Sequence, residues 1–254
     1  MIDPDAASVA AAGAHLPTHP AHPAQPAQPA QPAPMFRRAA LVRCLPFLIY
    51  MAFLAVAELL GQFGWSAAEL RWLYALKIGA VVLALACCWR QYGELKTFPL
   101  AMPAVLLALA TGVIVLLLWI SLGASWMTIG APGGFDPSSN GRVDWALALV
   151  RIAGAALVVP VMEELFWRSF LMRWIDADAF EAVTPAYISV KSVLITSVLF
   201  GFEHHLWLAG IVAGAAYGML YRRHGSLWSP IIAHAVTNAV LGGWVLATGS
   251  WSYW

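Results

Sequence analysis

Charge is scarce in this chain. Lys and Arg number 14 and Asp and Glu 13, so 11% of the residues are charged while 61% are hydrophobic. Soluble domains carry about 25% charged residues, and a mean hydropathy of +0.73 leaves too little polar surface to meet water. That excludes a water-soluble globule: the solvent for most of the chain is lipid. A formal net charge of +1 gives no basic excess for nucleic acid. Cysteine is also sparse. Cys44, Cys87 and Cys88 lie in or beside apolar runs, and no CxxC pair exists. They read as small hydrophobes in helices, with no disulfide or metal role. There is no HExxH motif. No cleavable signal peptide is evident either, because the first apolar run is long and follows a polar tail.

Residues 1–36 differ from the rest. His19 to Pro32 repeats Ala-His-Pro and Ala-Gln-Pro units. Proline every third residue blocks helix and sheet ladders, and nothing there is apolar enough to bury. The expectation is a disordered, PPII-like Ala/Pro/Gln/His tail, with residues 37–254 forming the membrane domain. His15, His19 and His22 read as solvated linker groups rather than metal ligands. A start at Met35 also fits, since MFRRAALVRCLPF reads as a membrane-protein N-terminus.

Seven candidate spans follow, at 44–62, 72–90, 99–121, 144–166, 188–206, 208–222 and 227–248. Most supply the about 20 apolar residues that a crossing needs. The sixth is short and rich in Gly and Ala, which suits tight helix packing. The fold expected is an all-α polytopic bundle of about seven to eight spans, because backbone groups in lipid must bond internally. One long hydrophilic loop, 123–143, carries turn signals at Pro132-Gly133-Gly134 and Pro137–Gly141. With a cytoplasmic N-terminus, the inner loops hold Arg37, Arg38, Arg43, Arg90, Lys96, Arg173, Lys191, Arg222 and Arg223, and the outer ones only Arg71 and Arg142. That bias puts the N-terminus inside and the C-terminus outside, in a bacterial inner membrane. Trp251, Tyr253 and Trp254 then read as an interfacial belt.

Ionisable groups at membrane depth are costly, so each is a functional hypothesis by default. They form three clusters. The first is Glu163-Glu164-Leu165-Phe166-Trp167-Arg168, just after Pro160, where a proline is expected to break the fourth span or start a new helix. Adjacent helical residues point about 100° apart, so one glutamate can face a cavity while the other does something else. Glu164 and Arg168 are spaced i, i+4 in the favourable order, which leaves Glu163 free to act. A plain structural salt bridge would explain the same residues. The second cluster, Phe200-Gly201-Phe202-Glu203-His204-His205, reads as part of an apolar helix. His204 lies on the Phe200 face, and which of His204 and His205 faces a cavity stays open. The third is His234-Ala235-Val236-Thr237-Asn238, whose His and Asn share one helix face. Glu58 and Lys77 could pair across helices, and Arg151 could snorkel or pair with Asp144.

Together these groups supply a carboxylate, a histidine base and hydrogen-bond donors, which is what hydrolysis requires. Glu163, His204 and His234 could also hold a divalent metal such as zinc, although Glu163 can activate water unaided and no cofactor is required. One geometric difficulty stands. If the fifth span runs outward from Lys191, His204 lies about 20 Å along it, while Glu163 sits near the inner half of the fourth. The two meet only if Pro160 or Gly201 bends a helix, if the site is near mid-membrane, or if the span limits differ.

The ordered trio EExxxR at Glu163–Arg168, FxxxH at Phe200–His204 and HxxxN at His234–Asn238, in successive hydrophobic helices, resembles the CPBP family of intramembrane proteases, which includes the CAAX prenyl endopeptidases. Further segments (LPFLIYMAFLA from Leu45, LRWLYALK from Leu70, VPVMEELFWRSFLMRW from Val159 and FGFEHHLWLAG from Phe200) resemble the bacterial exosortase-associated subgroup. The resemblance implies that Glu163 activates water with His204 assisting. It implies that His234 and Asn238 stabilise the oxyanion, and that Glu164, Arg168 and Phe200 shape the site. His205 and Glu203 fall outside the trio, and their roles stay open.

The leading expectation is therefore an intramembrane endopeptidase acting on a membrane-anchored peptide or protein, either CAAX-like or from an exosortase pathway. A non-catalytic scaffold or bacteriocin-immunity-like protein, and a transporter or proton conduit, are the alternatives. A transporter should show internal repeats, and none occurs beyond the N-terminal tail. The sequence identifies no nucleic-acid partner and does not reveal the oligomeric state.

Overall fold

The computed structural model describes residues 38–131 and 133–254. The expected tail at 1–36, its three histidines and the start at Met35 lie outside the described residues.

Seven long helices carry the fold: α1 (Arg38–Gln62), α2 (Leu73–Cys88), α3 (Met102–Ser121), α4 (Trp145–Trp174), α5 (Val190–Phe202), α6 (Trp207–His224) and α7 (Trp228–Thr248). Each expected span corresponds to one of them, and the protein is an all-α bundle. Five helices, α1 to α4 and α7, are long and apolar enough to cross a membrane. The α5 helix has 13 residues, about 20 Å at 1.5 Å per residue, so it is shorter than the 188–206 expected. In α3 only 22% of the apolar window is buried, and Leu106, Val113, Ile114 and Leu117 are exposed. Such a surface is stable only against lipid. The chain is a multi-pass membrane protein.

The helix ends follow local chemistry. Asp144 caps α4, accepting from the Ala146 and Leu147 amides at 3.0 and 3.2 Å. It is thereby occupied, and among the described residues no ion pair joins it to Arg151, nor Glu58 to Lys77, contrary to both expected pairings. Ser189 caps α5 by accepting from Ser192 N at 3.1 Å, and Asp176 accepts from the Ser189 amide and from the Ser189 and Ser192 hydroxyls. Gly225, at φ 65°, ends α6 in the left-handed conformation that glycine adopts without steric penalty.

One end of the bundle is tied by polar contacts. Arg43 bonds Glu94 through both Nε and Nη2, at 2.8 and 2.9 Å, and Ser169 donates to the same carboxylate. Burial alone would raise the Glu94 pKa, but the Arg43 hydrogen bonds and charge, with Ser169, outweigh it and hold the carboxyl below its ordinary range. At the other end, the 123–143 loop folds into a two-residue hairpin pairing Ser138 with Val143 and Ser139 with Arg142, turned by Asn140 and Gly141 at positive φ. Arg71 donates to the Ser138 carbonyl, and Phe135 N to Trp251 O at 3.2 Å, so this loop is held against the C-terminus.

Close packing brings α5 and α6 together. A Cβ on Gly201 would lie 2.6 Å from the Trp207 carbonyl oxygen, and one on Gly210 would lie 2.8 Å from the Gly201 Cα. Only hydrogen fits at this crossing, in keeping with small residues at membrane-helix interfaces.

Candidate active site

Helix α4 runs unbroken through Pro160, contrary to the expected break. The proline is accommodated by a wider π-helical turn at Gly154–Val158, with a second at Leu165–Leu171, a departure often found at functional sites. The local bonding explains the first. Val159 N bonds the Gly154 carbonyl, five residues back. In that register the next carbonyl, Ala155, would need an N–H at position 160, and proline has none. The Asn238 side chain supplies the missing donor: its Nδ2 bonds Ala155 O at 2.8 Å. One of the two amide hydrogens of Asn238 is thus committed to α4.

Between the two π segments, Glu163 and Glu164 point to different partners. Glu164, fully buried, accepts from Arg168 Nη1 at 3.0 Å and lies 3.0 Å from His234 Nδ1 through the same Oε1. Because a carboxylate only accepts, His234 donates from Nδ1 when Glu164 is ionised. Its Nε2 lies 4.0 Å from Glu163 Oε2, which is buried and has no hydrogen-bond partner. Arg168, 1% exposed, also donates to Gly214 O on α6, and its guanidinium lies 4.7 Å from the Phe200 ring centre. The expected division, with Glu164 taken by Arg168 and Glu163 left free, is the geometry observed.

The Glu203-His204-His205 run lies outside any helix. The α5 helix stops at Phe202, and these residues form the turn into α6; the close crossing at Gly201 and Gly210 leaves no room for both helices to continue side by side. The two histidines have different duties. His204 Nδ1 lies 2.7 Å from the Phe200 carbonyl, so Nδ1 carries the proton and Nε2 is left as a base. Its ring meets Trp119 edge-on at 5.2 Å. His205 Nδ1 lies 2.8 Å from Ile129 O, and Ile129 N returns a bond to His205 O at 2.9 Å. His205 fastens the 123–143 loop to the turn.

The difficulty of depth is removed by the length of α4. It ends at Trp174 rather than 166, so Glu163 lies about 16 Å from that end at 1.5 Å per residue. Phe202 lies about 18 Å from the start of α5, counted the same way. Glu163 and His204 reach similar depths without a sharp bend.

All four expected catalytic groups, Glu163, His204, His234 and Asn238, line one cavity of about 480 Å³, as does Phe200. Glu203, Tyr217 and Arg151 also line the cavity, outside the expected site residues. Glu203 presents a buried, unpartnered Oε2. Tyr217 stacks on His234 at 5.0 Å and donates to Thr237 at 2.7 Å. A glutamate inside an apolar run was a signal for the first; nothing in a lone tyrosine pointed to the second. Among the described residues no three His, Cys, Asp or Glu side chains converge as metal ligands.

No curated protein and no solved structure matches the chain. A family model described as Type II CAAX prenyl endopeptidase Rce1-like matches residues 145–240, from the start of α4 into α7, which spans all three motifs. The chain is therefore a multi-pass membrane protein whose residues 145–240 match the Rce1-like type II CAAX prenyl endopeptidase domain of the CPBP family.

Proposed function

We propose that the protein hydrolyses a peptide bond of a membrane-associated substrate, with water activated by Glu163. The observation that carries this reading is the unpartnered Oε2 of Glu163 facing the cavity while Glu164 is occupied by Arg168. Glu163 takes a proton from water, and the hydroxide forms a C–O bond to the scissile carbonyl. The oxyanion accepts hydrogen bonds from the second Asn238 hydrogen and from His234 Nε2, with His234 protonated on both nitrogens. As the C–N bond breaks, the proton held on Glu163 passes to the leaving amine, and the Nε2 of His204 relays it. Glu164 and Arg168 fix the His234 ring. No step passes through a metal.

The substrate is a CAAX-like or exosortase-pathway protein held at a bacterial inner membrane, and the chain lies with its N-terminus in the cytoplasm. The family match supports a CAAX-like substrate, the segments that resemble the exosortase-associated subgroup suggest the alternative, and the Lys/Arg asymmetry of the loops supports the orientation. The test compares wild type and Glu163→Gln in proteoliposomes against membrane-anchored peptides, read by mass spectrometry. Cleavage by wild type alone supports the reading; equal cleavage by both would remove Glu163 from the mechanism.

A further inference from the structure

A second cavity of about 750 Å³ adjoins the first and shares Tyr50, Leu54, Gly133, Arg151 and Trp254 with it. Three cations line this cavity: Arg71, which donates to the Ala68 and Ser138 carbonyls, and the two that carry the argument, Lys77 and Arg151. Lys77 on α2 is 6% exposed, and Arg151 on α4 stands at the wall common to both cavities. Both approach one ring: Lys77 Nζ lies 5.1 Å and the Arg151 guanidinium 4.5 Å from the centre of Tyr74. Lys77 also sits 3.9 Å over Tyr50. Among the described residues neither Lys77 nor Arg151 is within ion-pair distance of a carboxylate, and Arg151 Nε is buried without a hydrogen-bond partner. The acid in this cavity, Glu58, is bonded by Gln62 one turn away.

A buried cation such as Lys77 without a counterion is costly at membrane depth, and the half-buried Arg151 beside the same ring repels it. Cation–π contacts with Tyr50 and Tyr74 offset part of that cost. The remaining need is for an anion. We infer that Lys77 and Arg151 form a subsite for a carboxylate of the substrate peptide. Arg151 lies about 18 Å before Glu163 along α4, the span of about five extended residues. The carboxylate therefore belongs within about five residues of the scissile bond, towards the end of the bundle that carries the 123–143 loop. The spacing rests on the peptidase reading, whereas the anion site does not.

The test uses binding rather than cleavage, so that its failure and that of the peptidase reading are separable. The full chain carrying Glu163→Gln is placed in phosphatidylcholine nanodiscs. It is titrated with fluorescent N-palmitoyl hexa-alanine as free acid, as C-terminal amide, and as an amide carrying one Asp, with empty discs as control. The acid is expected to bind about tenfold more tightly than the plain amide, the scale of a charged hydrogen bond. Lys77→Met or Arg151→Met should shrink that ratio to about twofold, while Lys77→Arg keeps it and guards against misfolding. Recovery by the Asp amide assigns a side-chain carboxylate; lack of recovery assigns the C-terminus. Equal binding of acid and amide, including none by either, overturns the proposal, as does a preference that survives both Met substitutions. So does cation-dependent binding of phosphatidylglycerol in place of the acid.

Discussion

His234 bonds Glu164 through Nδ1 at 3.0 Å, and its Nε2 faces the unpartnered carboxylate oxygen of Glu163 at 4.0 Å. Two adjacent glutamates of one helix thus meet the two nitrogens of one imidazole. The Glu164 contact holds the ring, and the Glu163 Oε2 has no hydrogen-bond partner.

That division sets different outcomes for the two glutamates' partners. Removing Arg168 leaves Glu164 buried opposite nothing but a histidine, and breaking a buried pair costs about 3–5 kcal/mol. Arg168→Met should therefore lower stability by that amount in a detergent unfolding titration. Glu163→Gln, which breaks no hydrogen bond, should leave the midpoint close to wild type. A robust Arg168→Met protein would mean that the ion pair is dispensable to the fold.

Asn238 lines the cavity, and its Nδ2 satisfies the carbonyl that Pro160 leaves open; in the proposed mechanism its second hydrogen donates to the oxyanion. Asn238→Ala should lower turnover by about 10²–10³-fold if the oxyanion loses a donor. It should also lower stability by about 1–3 kcal/mol from the orphaned Ala155 carbonyl. Normal turnover in a destabilised variant would reduce Asn238 to a backbone cap.

The motif trio was legible because each motif joins residues only four apart in the chain: Glu164 with Arg168, Phe200 with His204, His234 with Asn238. Partners distant in the chain were not. His205 is explained by Ile129, 76 residues away, and Asn238 by Ala155, 83 away. The pairing of Arg151 with Asp144 failed because capping α4 was the nearer use for that carboxylate. Seven apolar segments gave seven helices, yet the end of α5 was misjudged. Its stop at Phe202 follows from the crossing at Gly201 and Gly210, and hydropathy carries no trace of backbone distance.

Gly201 tests that crossing. A methyl there would press on the Trp207 carbonyl and on Ile211, and overpacking costs about 1–3 kcal/mol. Since the turn holding His204 begins at this point, Gly201→Ala should lose activity beyond what its stability loss explains. Activity measured well below the unfolding temperature separates the two. A fully active variant would show that the helices can part without disturbing His204.

Acid should loosen one end of the bundle. Burial tends to raise the Asp176 pKa, but hydrogen bonds from the Ser189 and Ser192 hydroxyls and the Ser189 amide prevail and lower it. A group lowered on folding adds stability above its unfolded value, about 3.9 for Asp, and that stability is lost as pH falls through the folded value. Unfolding midpoints from pH 6 to 3 should fall less steeply for Asp176→Asn than for wild type. Parallel curves would assign acid sensitivity to other groups.

The role of Glu163 as the base that activates water is tested most directly by a single turnover in ¹⁸O-water, with enzyme in excess over a peptide that wild type cleaves. The expected result is one ¹⁸O in the new product carboxylate from wild type and no product from Glu163→Gln. Product from Glu163→Gln at the wild-type rate, or first-turnover product carrying only ¹⁶O, would contradict it.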